Sequence, residues 1–211
     1  MARSQGLSRH LPSMVFVLAL LLVLAAFAGI FIYTGLYNIG ADAPHSGLVY
    51  NALQELRERS IESRSRSIVP PADLSSPKRI AAGAGLYAGM CTGCHVGPGV
   101  EKSELSQGLY PQAPELARGT DLTAAQQFWV IKHGVKLTAM PAWGKTHDDQ
   151  LIWNMVAFLQ ALPKLSPEQY KAAVASAPED HEEMMKGMGA NAAHAPPLAA
   201  EERPHSHEHS H

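Results

Sequence analysis

Cys91-Thr92-Gly93-Cys94-His95 holds both cysteines of a chain of 211 residues. Two thiols three residues apart, followed at once by an imidazole, is the spacing that covalent attachment of a c-type haem uses. The thiols add across the haem vinyl groups, and a histidine fixed one residue beyond the second thiol reaches the iron as proximal ligand. A Cys-x-x-Cys pair also serves dithiol redox centres and half of a zinc site. Neither fits here: the chain has no second cysteine pair, and no thioredoxin-like alternation of strands and helices surrounds the motif. With both thiols taken by thioethers, none remains for a disulfide.

Working outward from the motif, the text is helical. Ser76-Pro77 reads as a helix start, serine as cap and proline as first residue, with Ile80, Gly83, Ala84 and Tyr87 on one side before Cys91. Gly83 has no side chain and would let another helix approach. Residues 96–117 are rich in Gly and Pro and read as loop. Thr123-Ala124-Ala125-Gln126 resembles a capping box opening a helix that runs through His133 and stops at Gly134, with Phe128 and Ile131 inward. A last helix starts near Asp148, where Leu151, Met155, Phe158 and Leu162 recur at spacings of four, three and four, and Pro163 closes it.

Met140 lies between the helix stop and Pro141, outside any apolar period, where core packing does not explain it. A methionine thioether is a soft, neutral ligand that favours ferrous iron and closes the sixth position. His133 and His147 are the other candidates for that position. Trp143 and Trp129 are candidates to wall the site or bond a propionate, with ordinary core packing as the alternative for both.

Taken together, these features resemble a class I cytochrome c over roughly residues 76–162. The resemblance rests on the Cys-x-x-Cys-His run after a helix, on Gly83 followed four residues later by Tyr87, on Met155-Val156-Ala157-Phe158-Leu159 in the final helix, and on Thr138-Ala139-Met140-Pro141-Ala142-Trp143. More narrowly, the chain is similar to bacterial membrane-anchored monohaem cytochromes. The resemblance implies an all-α class I cytochrome c fold around one covalent haem c, with His95 and Met140 as iron ligands. It also implies a proline carbonyl that holds the second ring nitrogen of His95: Pro114-Glu115-Leu116 matches best, with Leu116 packing on the haem, and Pro98 is the fallback.

The flanks set the organisation. Residues 14–37 read MVFVLALLLVLAAFAGIFIYTGLY without a charge, long enough for a membrane anchor. The rival is a cleaved signal peptide with Ala26-Phe27-Ala28 as its site. The apolar run continues past that point and favours the anchor. Arg3 and Arg9 place residues 1–13 in the cytoplasm and the haem domain in the periplasm of a bacterial inner membrane. Residues 38–73 are expected as a partly helical stalk, with a helix opening near Pro44 on a stripe of Leu48, Val49, Ala52, Leu53 and Leu56. The haem domain is expected at 74–165. Residues 166–211 read as a short helix followed by a disordered tail rich in His and Met, a possible copper binder.

The formal net charge is −2, and no nucleic-acid partner is expected. Lys132, Lys136 and Lys145 flank the methionine loop as a basic rim for an acidic redox partner. The expected function is electron transfer without substrate turnover. The partners are membrane lipid for the anchor and, for the haem, a dehydrogenase or quinol-oxidising complex on one side and a terminal oxidase or reductase on the other. The alternatives are a haem enzyme or sensor with a labile sixth ligand and a copper-handling protein that uses the tail.

Overall fold

The computed structural model describes residues 13–177, which contain helices and no strand. They divide into two compact units after Pro44. In the first, α1 spans Met14–Tyr33. Ser13 caps it by accepting the Phe16 N–H at 3.2 Å. It ends where the Thr34 hydroxyl turns back to Ile30 O at 2.8 Å and Gly35 takes φ +61°. The helix therefore stops short of the 14–37 run. Its 20 residues still give about 30 Å at 1.5 Å each, the thickness of a bilayer core. The mean hydropathy is 3.1 and none of its residues is buried, so by length and composition α1 suits a membrane span or a signal segment.

The second unit starts at His45. Its helices are α2 (Gly47–Ser65), α3 (Pro77–Met90), α4 (Thr92–His95), α5 (Glu104–Gln107), α6 (Ala124–His133), α7 (Asp149–Ala161) and α8 (Pro167–Ala175). Helix starts follow the sequence signals. Ser76 accepts the Arg79 N–H with Pro77 at the first position, Thr123 and Gln126 form a complete capping box, and Asp148 accepts the Leu151 N–H. The 96–117 stretch, expected as loop, contains α5 and the start of a 3-10 turn at Leu116–Arg118.

The core lies where α3 crosses α7, with Tyr87, Ile152, Met155, Val156, Phe158 and Leu162 fully buried. The crossing depends on Gly83, because a Cβ there would stand 2.0 Å from Asn154 O and 2.7 Å from Phe158 Cβ. Backbone cannot yield locally as a side-chain tip can. Gly83→Ala is therefore expected to destabilise the haem-loaded domain by about 3 kcal/mol, the upper end for overpacking, measured by denaturant unfolding; a loss below ~0.5 kcal/mol would show that the helices part cheaply.

Two expected boundaries move. α8 belongs to the domain: Tyr170 is buried with its ring centroid 6.3 Å from those of both Tyr87 and Phe158. α2 begins at Gly47, with no side-chain cap from Ser46, and packs against α6 instead of standing in solvent as a stalk. The expected stripe divides: Leu48, Ala52 and Leu56 point outward, with Leu48 83% and Leu56 66% exposed, whereas Val49 and Leu53 are half-buried. The face turned to the domain runs Val49, Leu53, Arg57, Ile61 and Ser65, one helical turn apart each time, half-buried at first and buried at Ile61 and Ser65. Counting apolar letters reached Val49 and Leu53 but not the rest of this face, because arginine and serine occupy two of its five positions.

Candidate haem site

Residues far apart in the chain meet around one cavity of about 700 Å³. Cys91, Cys94, His95, Pro114, Leu116, Met140 and Trp143 all line it. Cys91 ends α3 and caps α4, so the motif is wound into a single helical turn, with the His95 N–H donating to Cys91 O at 2.8 Å. That turn is held from three sides. The Thr92 hydroxyl donates to Ala88 O at 2.6 Å, the Ser103 hydroxyl donates to Gly93 O at 2.6 Å, and the buried Tyr87 hydroxyl donates to Val96 O. The last two anchors were not foreseen, and a serine in a polar loop carries no distinguishing signal.

His95 Nδ1 lies 2.9 Å from Pro114 O. A carbonyl only accepts, so Nδ1 carries the proton and Nε2 keeps its lone pair. Burial pushes the His95 pKa below its ordinary value, with the Pro114 hydrogen bond opposing it, which leaves the ring neutral at pH 7. Pro98, the fallback, lies in a separate shallow groove beside α8. Glu115 braces the Pro114 segment through Lys102 at 3.1 Å and Arg118 at 2.7 Å. The Lys102 hydrogen bond, then the Arg118 charge, hold its carboxyl below the usual range. Burial, with the Cys94 charge added, pushes the Cys91 thiol up to about 12.

Met140 is set by a tied loop after α6. Val135 N–H donates to Met140 O at 3.2 Å, the Thr138 hydroxyl to Val135 O at 2.8 Å, and Met140 N–H to Thr138 Oγ1 at 3.1 Å. Gly134 makes the turn possible: its φ is +65°, and a Cβ would stand 2.7 Å from Met140 O. His133 and His147 do not line the cavity. Trp129 does not either; its ring lies 5.0 Å from that of His133. None of the three lysines expected as a basic rim lines the cavity, and Lys132 is tied to Asp149 at 2.7 Å. The His/Met tail lies outside the described residues.

The donor set fits a c-type haem. Two thiols stand beside a neutral imidazole with its Nε2 available, a thioether shares the cavity, and Leu109, Leu122, Val130, Ile131 and Leu159 supply apolar wall. A haem axial pair and a water-poor surround ask for these groups. No curated protein and no solved structure matches the chain. Residues 78–159 match the family described as cytochrome C oxidase, cbb3-type, subunit III. The match makes that segment a c-type cytochrome domain, a kind of domain that implies haem c and supports haem-based electron transfer.

Proposed function

We propose that the chain is a membrane-tethered monohaem cytochrome c that passes single electrons between a dehydrogenase or quinol-oxidising complex and a terminal oxidase or reductase. The observation that carries this reading is the meeting of Cys91, Cys94, His95 and Met140 around one cavity. Cys91 and Cys94 would hold the haem through two thioethers, and His95 Nε2 and Met140 Sγ would be its iron ligands. Haem, when bound, supplies one-electron exchange between ferric and ferrous iron. Pro114 O keeps the His95 ring oriented through both oxidation states, so that little has to move when an electron arrives. Leu116 and Trp143 wall the cavity against water, which favours the less charged ferrous state. The matched family is described as part of an oxidase, and that description supports a terminal oxidase as acceptor.

The anchor reading rests on α1. Its test is fractionation of cells expressing the full chain: haem signal is expected with the membranes at high salt and in solution when residues 1–44 are exchanged for a cleavable export signal. Haem found soluble in both cases would mean that the segment is removed and the protein is a free carrier.

A further inference from the structure

We propose that Arg57 of α2, which lies before the matched cytochrome segment, binds a haem propionate and makes α2 a wall of the haem site. This inference rests on the proposed haem reading. Tyr50, Arg57 and Ile61 of α2 line the same cavity as Cys91 and His95. Arg57 occupies the centre of the face turned to the domain, one turn from Leu53 and one turn from buried Ile61. Among the described residues it is the single Lys or Arg lining the cavity.

Its neighbours on the helix are all engaged. Arg59 pairs with Glu55 at 2.7 Å, Arg64 bonds the Ser60 hydroxyl at 2.9 Å, and Arg66 pairs with Glu62 at 3.2 Å. For Arg57, among the described residues, no carboxylate lies within ion-pair distance. The acids at the cavity are Glu58, Glu62 and Asp121. Glu58 accepts from Gln54 at 2.9 Å, Glu62 serves Arg59 and Arg66, and Asp121 is exposed. A half-buried arginine that lines a cavity and has no carboxylate beside it calls for an anion from the occupant. A c-type haem brings two carboxylates, and a planar guanidinium matches a carboxylate in two-pronged geometry.

A positive charge at that place stabilises ferrous over ferric iron. Spectroelectrochemical titration of the purified, haem-loaded full chain tests this. Arg57→Gln removes the charge, leaves an unbranched polar side chain and keeps the helix propensity. It is expected to shift the ferric/ferrous ratio about tenfold toward ferric, which is a midpoint lower by about 59 mV for a one-electron couple. Arg57→Lys, which retains the charge without the fork, is expected to fall between. Arg59→Gln, removing the same charge from the exposed face, is expected within twofold of the parent. Equal shifts for Arg57→Gln and Arg59→Gln would overturn the inference and leave Arg57 as an aliphatic stem covering the wall. A pyridine haemochrome spectrum on the same samples separates the two readings: a parent chain without haem c overturns the haem reading and this inference with it, whereas haem present with an unmoved potential overturns this inference alone.

Discussion

The double variant Cys91→Ala/Cys94→Ala is expected to lose haem to acidified organic solvent and, once stripped, to lose the cooperative unfolding of residues 45–177. Its intact mass should lack the haem adduct that the parent carries, and each single variant should keep the adduct through one thioether. The consequence for folding follows from size. A dry cavity of about 700 Å³ at ~24 cal/mol per Å³ would cost roughly 17 kcal/mol, against a total stability of ~5–15 kcal/mol for a domain. Water or collapse relieves part of that cost, but either one dissolves the wall formed by Leu109, Leu122, Ile131 and Leu159. Covalent attachment removes the option of leaving the cavity empty. A sharp melting transition in the stripped variant, equal to that of the parent, would mean that the α3–α7 core stands without the haem. A covalent adduct surviving in the double variant would move the attachment to other residues.

Much of this site could be read from the chain because its chemistry is local. The Cys-x-x-Cys-His turn, the capping box at Thr123 and the cap at Ser76 are set by residues within a few positions of each other, and each appears where its spacing puts it. Pro114 was reached by resemblance to a family; His95 Nδ1 lies 2.9 Å from its carbonyl oxygen, and Pro98 lies in a separate groove. What stayed hidden was tertiary. The face of α2 that packs on the domain carries Arg57 and Ser65, so its hydrophobic period is interrupted. The outward residues Leu48 and Leu56 mimic the period that is missing. α8 looked like an appendage because one tyrosine carries much of its docking. Ser103 and Tyr87 pin the motif by bonds to backbone carbonyls, an interaction any hydroxyl in reach would make.

This difference in legibility matters for function. A helix outside the matched segment completes the haem cavity, so a fragment cut at residues 78–159 would lack the wall carrying Tyr50, Arg57 and Ile61. The unit that keeps the site whole begins at His45. There the His45 N–H donates to the Tyr110 hydroxyl at 2.8 Å and ties the start of α2 to the 109–114 segment of the cavity rim.

Met140→Ala is expected to abolish the weak sulfur-to-iron charge-transfer band of the ferric protein and to lower the midpoint potential by roughly 0.2 V, a fraction of the ~0.8 V that axial ligands command. The variant should also bind cyanide or carbon monoxide, because removing the thioether opens the sixth position. Among the described residues two methionines line the cavity, Met90 and Met140, and they are not equivalent. Met90 ends α3 directly before Cys91, so its backbone is committed to the helix end. Met140 sits on a loop that Gly134, Thr138 and Val135 tie in place by three hydrogen bonds and a left-handed turn. Such a framework keeps a flexible side chain within reach of the iron, where an unbraced methionine would spend its rotamer freedom. Met90→Leu is therefore expected to leave the band in place. A band lost in Met90→Leu and kept in Met140→Ala would exchange the two roles. A parent protein that is high-spin and binds cyanide as readily as Met140→Ala would mean that the sixth position is open, and the chemistry of the site would then be catalysis or sensing instead of electron carriage.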